Sequence, residues 1–161
     1  MTPKQRISHI TRWLKAYAKS AKINTFVVGI SGGIDSSVVS ALCAQTGLNT
    51  IVVQMPIRQN PRLDNLSSAQ AGWLLENHPD NVVHMSMDLT PVFSAFEKKV
   101  GPFGDSELAF ANSRARLRMM TLYQIAQSHG GIVVGTGNKV EDFGVGFFTK
   151  YGDGGVDISP I

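Results

Sequence analysis

Cysteine is almost absent from this 161-residue chain, which holds only Cys43, so no internal disulfide can form and a reducing compartment, the cytoplasm, is expected. Long hydrophobic runs are missing too. No stretch approaches the ~20 apolar residues of a membrane span, and the charged start MTPKQRISHITRWLK leaves no room for the apolar run of an export signal. Four scattered histidines and one cysteine give no zinc constellation. Charged residues make up only 17%, and the excess of basic over acidic residues is +3, too small to argue for a nucleic-acid partner. With 43% hydrophobic residues the chain is nonetheless too apolar for disorder and long enough to bury a core. There is no internal repeat, low-complexity tract or linker, so residues 1–161 read as a single domain.

What is present alternates between two periodicities. Ile7, Ile10, Leu14 and Tyr17 recur at helical spacing, predicting a helix over 4–21. TFVVGI, residues 25–30, is a branched, apolar run of the kind buried on both faces of a parallel sheet. Helices are predicted over 35–45, closed by Gly47, over 63–76, with Leu66, Ala69, Gln70 and Trp73 on one face, over 91–99, and over 106–128, with Ser106 as N-cap. Strands are predicted over 50–55, 82–87 and 132–134. Strands alternating with helices of ten or more residues specify an α/β fold, a doubly wound parallel sheet with helices on both faces. Trp13 and Trp73 are expected to pack within their helices, Cys43 to be buried, and Met119-Met120 to face the core or a dimer surface. Seven glycines between Gly135 and Gly155 predict irregular backbone shaped around something, and the segment from Gly137 to Gly155 is expected to be a mobile lid.

Chemistry concentrates where strands give way to helices. Gly29-Ile30-Ser31-Gly32-Gly33-Ile34-Asp35-Ser36-Ser37 follows the first strand and opens a helix, so close-approaching backbone, helix-terminal amides and hydroxyls form an anion cradle. No Lys-Ser/Thr pair follows the glycines, which excludes a Walker A loop, and the spacing excludes the dinucleotide fingerprint. Asp35 beside bound phosphate needs its charge offset, for which Mg²⁺ is the natural partner. Val133-Val134-Gly135-Thr136-Gly137-Asn138-Lys139-Val140-Glu141 leaves the fourth strand at the same edge, bringing Thr136 and Glu141 level with the cradle. On the long helix, Arg114 and Arg118 share a face while Arg116 points away from both.

The Ser-Gly-Gly-x-Asp-Ser spacing resembles the pyrophosphate loop of ATP pyrophosphatases, a superfamily of adenine nucleotide alpha hydrolase-like fold. Together with Asn112–Met119, Gly135–Glu141 and above all GFFTKYGDGGVD, residues 146–157, the chain from Gly29 onward resembles ammonia-dependent NAD synthetases. The resemblance implies a ligase that amidates nicotinic acid adenine dinucleotide (deamido-NAD). Its carboxylate would attack the α-phosphate of ATP to give an acyl-adenylate and pyrophosphate, and ammonia would then displace AMP. It further implies ATP contacts from Gly29, Ile30, Ser31, Gly32, Gly33, Ile34, Asp35, Ser36 and Thr136, and Mg²⁺ ligands at Asp35 and Glu141. Arg116, Lys150 and Asp157 would contact deamido-NAD, and Asp153 would act catalytically on the incoming ammonia. A homodimer is implied, with no nucleic-acid or membrane partner.

Ala111 and Val140 depart from the family's usual glycine and serine without touching chemistry. The family continues beyond the position of Ile161, so a chain lacking the C-terminal part of the domain is expected. With no glutaminase-like amino-terminal cysteine, free ammonia is the expected nitrogen source. The alternatives are another ligase with this loop, such as a tRNA-modifying thiolase, or a non-catalytic ATP-binding module.

Overall fold

The computed structural model describes residues 1–161. Helix α1 (Pro3–Ala21) starts at a capping box, in which the Gln5 amide donates to Thr2 Oγ1 (3.3 Å) and the Thr2 amide to Gln5 Oε1 (2.8 Å). Then follow β1 (Thr25–Ile30), α2 (Ile34–Ala44), β2 (Asn49–Gln54), α3 (Pro61–Asn77), β3 (Val82–Ser86) and α4 (Thr90–Val100). A short 3-10 turn leads into α5 (Glu107–Ser128), and β4 (Ile132–Val133) ends the regular sheet. No helix is long and apolar enough to cross a membrane.

All four strands are parallel, in the order β3-β2-β1-β4. The chain winds outward from β1 through β2 to β3, then returns to the other side of β1. The switch point therefore lies between the carboxyl ends of β1 and β4. Register follows directly: Val27 sits between Ile51 on β2 and Val133 on β4. Alternation of side chains divides the core. Val27 joins Val53, Phe93, Met119 and Leu122 beneath α4 and α5, while Phe26 and Val28 join Leu14, Ala18, Val39 and Cys43 beneath α1 and α2. Ile30 and Val52 meet Ala71 and Leu74 of α3.

Four expectations need correction. The last strand ends at Val133, but Val134 continues its direction by a parallel bridge to Ile158, so residues 157–158 add an outer edge beyond β4. Helix α2 stops at Ala44 with a right-handed cap at Gln45, and Gly47 takes its positive φ of 73° in the turn beyond. Helix α3 buries Ser67, Ala71 and Leu74 rather than the face carrying Leu66, Gln70 and Trp73. Trp13 and Trp73 remain 40% and 46% exposed instead of packing inward. An amphipathic pattern fixes a face only when apolar residues are confined to one, and α3 carries leucines on several.

The turn from α5 into β4 is tight enough to require glycine at 131. A Cβ there would lie 2.6 Å from the carbonyl oxygen of Thr25 and 2.9 Å from its Cβ, and Thr25 is fixed as the first residue of β1. Gly131→Ala should therefore destabilise the fold by about 1–3 kcal/mol. A urea midpoint equal to that of the parent protein would contradict this close approach.

Candidate functional site

At the switch point a cavity of about 370 Å³ opens between β1, β2, β4 and α5. Its walls are Gly29, Ile30 and Ser31 from β1, Gln54 and Met55 from β2, and Arg118, Met119 and Leu122 from α5. Thr136 after β4 and Thr149 and Asp153 from the glycine-rich segment complete it. Of the residues singled out from sequence, Gly29, Ile30, Ser31, Thr136 and Asp153 thus line one cavity.

The cradle is closed by its own hydroxyls. The buried Ser36 hydroxyl donates to the Gly33 carbonyl (3.0 Å), accepts from the Ser31 amide (3.2 Å) and lies 3.1 Å from Ser31 Oγ. Ser37 Oγ donates to the same carbonyl at 3.0 Å. These contacts hold the loop in one shape before any ligand arrives. The amides of Gly32, Ile34, Asp35 and Ser36 meet no protein acceptor, as expected of a helix N-terminus, and they carry its partial positive charge. Gly32 has φ of +83°, and a Cβ there would overlap the carbonyl oxygen of Leu63 at the start of α3. The loop is thus pinned between its own helix and α3.

Asn138 joins the cradle to the segment after β4. Its Nδ2 donates to Asp35 Oδ2 (3.2 Å), while its Oδ1 accepts from the Val140 and Glu141 amides (both 3.1 Å). Those two amides begin a π-helical turn, Val140–Val145. Part of the segment expected to be irregular is therefore a built element, and Glu141 stands in its first turn. Asp142 in the same turn has its carboxyl held above the usual range, first by burial and then by the charge of Asp153. No three acidic, histidine or cysteine side chains cluster as a closed metal cage.

The rest of the glycine-rich segment is fastened to α5. Thr149 Oγ1 donates to Asn112 Oδ1 (2.9 Å), and Arg116 Nε donates to the Lys150 carbonyl (3.0 Å). The Thr149 amide donates to Asp153 Oδ1 (2.9 Å), which fixes that carboxylate at the cavity wall. Lys150 lies outside the cavity, with Nζ 5.0 Å from the centroid of Tyr151. Arg116 and Lys150 are exposed and close in space. Asp157 sits apart from them, where its carboxylate accepts from the Val133 amide (2.8 Å) and from Tyr123 Oη (3.1 Å). It braces the added edge beyond β4.

Sequence reasoning missed Arg118 as a cavity residue. Its Nε donates to the Met55 carbonyl (3.0 Å) and its Nη2 reaches Gln59 Oε1 at 3.4 Å, with no carboxylate partner. Burial, and then the charge of Arg114, lower its pKa. The available signal was its position between Met119 and Leu122, which face inward, and Arg114 one turn earlier. Arg114 instead pairs with Glu107 (3.0 Å) and lies 5.5 Å from the Phe93 ring centroid.

An open parallel sheet with a self-closed serine-glycine cradle at its switch point is an α/β architecture that offers its ligand site at the carboxyl edge of the strands. Comparison with known proteins narrows it: residues 6–161 match the NAD synthase family, and the chain belongs to that family. It is 37% identical over 155 residues to the NH(3)-dependent NAD(+) synthetase of Finegoldia magna, with 94% of this chain and 60% of that protein aligned. To the corresponding protein of Alkaliphilus metalliredigens it is 38% identical, covering 97% of this chain and 64% of the relative. The chain therefore spans under two thirds of the length of these curated relatives. Among solved structures, an NMN synthetase from Francisella tularensis superposes with a TM-score of 0.90 at 34% identity, over 100% of this chain and 65% of the other. An NH3-dependent NAD synthetase from Campylobacter jejuni superposes with a TM-score of 0.86 at 26% identity, over 100% and 67%.

Two predictions follow the geometry. In Asn138→Ala the amides of Val140 and Glu141 lose their acceptor, so their hydrogen exchange should accelerate at least about tenfold while β1 amides stay protected. Unchanged exchange at both would mean that the π turn is held by something else. Burial, then the charge and hydrogen bond of Asp157, raise the Tyr123 phenol from 10.0 to about 12. A raised phenol favours the folded state below pH 10, and that contribution is lost as pH rises toward 12. Tyr123→Phe should cost about 1 kcal/mol at neutral pH and should flatten this alkaline loss of stability. Parallel stability–pH curves for the two proteins would count against the coupling.

Proposed function

We propose that this chain carries the ATP site of an enzyme that amidates a deamidated nicotinamide nucleotide with ammonia. The observation that carries the reading is the preorganised cradle opening into a switch-point cavity, in a member of the NAD synthase family. The carboxylate oxygen of the substrate attacks the α-phosphorus of ATP, the bond to the bridging oxygen breaks, and pyrophosphate leaves. Ammonia then attacks the acyl carbon of the mixed anhydride, AMP departs, and the nitrogen loses a proton as the amide forms. Adenylation is needed because a carboxylate oxygen is otherwise a poor leaving group.

Each residue has a place in this reading. The amides of Gly32, Ile34, Asp35 and Ser36 receive the charge that moves onto pyrophosphate. Gly29, Ile30, Ser31, Gly33 and Thr136 shape the nucleotide's bed. Arg118 supplies a fixed positive charge from the α5 side of the same cavity. Asp153, one oxygen held by the Thr149 amide, orients the ammonia and takes its proton. Arg116 and Lys150, exposed beside the cavity, suit the phosphates of a substrate that extends beyond it. Asp157 would reach the substrate from the added edge. A second copy of the chain would complete that outer surface in a homodimer.

The residues also fit Mg²⁺. Asn138 bonds both the Asp35 carboxylate and the Glu141 amide beside the cradle, so two residues with hard carboxylates stand on adjoining elements there, which suits an ion that retains waters and rarely occupies an all-protein cage. When bound, it would neutralise charge on the phosphate oxygens.

The similarity to an NMN synthetase at a TM-score of 0.90 supports a second reading of the acyl substrate, as the mononucleotide instead of the dinucleotide. Both are tested by incubating the whole protein with ATP, ammonia and either nicotinic acid nucleotide, and following AMP and amide together. Equal amounts of AMP and NAD, formed only with the dinucleotide, are expected. AMP only with the mononucleotide would transfer the assignment, and AMP released without either acid would sink the reading. Asp35→Asn should keep its thermal midpoint and lose about a hundredfold in turnover. Near-normal turnover in that variant would remove Asp35 from the metal site.

A further inference from the structure

The net charge of +3 conceals an uneven distribution. The first acidic residue of the chain is Asp35, and before it stand six cations: Lys4, Arg6, Arg12, Lys15, Lys19 and Lys22. All six fall on α1 or its caps, and none takes part in either of the two ion pairs of the structure, Arg58–Glu97 and Arg114–Glu107. The remainder of the chain, with nine cations and twelve acids, is net negative.

Helical geometry sorts these cations. Leu14 and Ala18 bury the inner face of α1 against α2 and the sheet. At 100° per residue, Lys4, Arg12, Lys15 and Lys19 then form one exposed flank about 22 Å long. Arg12 Nε donates to the Ser8 carbonyl (3.2 Å), which lays its guanidinium along that flank. The opposite exposed flank carries Trp13 and Tyr17, 40% and 37% exposed, with ring centroids 6.0 Å apart. Between the flanks the outer ridge is low where they face each other, because it consists of Ala16 and Ser20.

We propose that the outer face of α1 binds single-stranded polynucleotide. Phosphates would follow the Lys15–Lys19 flank, and bases would fold across the Ala16–Ser20 ridge onto Trp13 and Tyr17. A cationic track beside an aromatic platform is the arrangement that single strands require, since charge holds the backbone and any base can stack. An anionic bilayer fits less well, because the ridge that would face it offers Gln5, His9, Ala16 and Ser20 and nothing apolar to insert. A duplex keeps its bases stacked away from the rings. An acidic peptide would satisfy the cations and leave the aromatic pair without a planar partner. The expectation of no nucleic-acid partner rested on the small net charge and on the lack of a basic cluster or exposed aromatic platform in the sequence; α1 carries six cations, and Trp13 and Tyr17 are exposed on it.

No residue of α1 lines the switch-point cavity, so the proposal stands apart from the amidation reading. The test uses the whole protein with Trp73→Phe as background, so that Trp13 is the one reporting tryptophan. A labelled oligouridylate of about 12 nucleotides should bind saturably and quench Trp13. Its log affinity should fall with log salt at a slope of about −3, as four cations each displacing a counterion from a single strand would give. Lys15→Glu with Lys19→Glu should weaken binding at least about tenfold, and Trp13→Ala should abolish quenching and weaken binding about fivefold. These surface variants should leave amidation and the thermal midpoint unchanged. Failure to bind the oligonucleotide at low salt would overturn the proposal. So would equal binding of the matching duplex, of phosphatidylserine vesicles or of polyglutamate with Trp13 unquenched.

Discussion

Two parallel hydrogen-bond ladders meet on β1, and the geometry at its carboxyl end depends on both. Pairing with β2 sets the height of Gln54 and Met55 against Gly29 and Ile30, while pairing with β4 brings Gly135 and Thr136 to the same level from the other side. Paired on both edges, β1 is an interior strand, and its apolar run suits the helices packed on each of its faces. Because the crossover from β3 returns through α4 and α5 to the far side of β1, a gap is left at the β1 and β4 ends, walled on one side by α5. The cavity is that gap.

The loops at this edge are rigidified by hydrogen bonds among themselves. Ser36 and Ser37 spend their hydroxyls on the Gly33 carbonyl, and Asn138 divides its amide between Asp35 and the first amides of the π turn. Side chains that look like ligand donors in sequence thus serve partly to shape the backbone, leaving the amides as the free anion-binding groups. In the proposed reaction this division suits a leaving pyrophosphate. Fixed dipoles need no reorganisation as charge develops, whereas freely rotating hydroxyls would.

Much of this was legible beforehand because the signals were local. The strand at 25–30, the Ser106 cap and the cradle after β1 depend on residues within a few positions of one another, and the structure has them where the sequence puts them. What depended on distant partners was not legible. Asp157 reads as a free carboxylate until Val133 and Tyr123 are brought to it, and α3 chooses its buried face by what β2 and β3 present. Glycine density correctly marked a special segment after Val134 but not the π turn within it. That turn needs Asn138 to satisfy two amides that glycine counting does not see.

Arg118 is the one cation that lines the cavity, where Asp64 and Asp153 are the carboxylates. A guanidinium drawn partly out of water loses hydration that neutral carbonyls replace only in part, and here its partners are the Met55 carbonyl and the Gln59 amide oxygen. Elsewhere on α5 the same conflict is resolved locally, since Arg114 has Glu107 and the Phe93 ring. Arg118 forms no ion pair, and Ser31, which leads into α2, lines the same cavity together with the carboxylates of Asp64 and Asp153. Positive charge from Arg118 is thus set against carboxylates, while Asp35, in the first turn of α2, and Glu141, in the π turn, stand outside the cavity lining. In the proposed function this mixed lining suits a polyanion whose charge is shared between protein donors and a bound cation. On the same proposal, the partly buried Arg118, held by neutral oxygens alone, meets its counter-charge in the substrate.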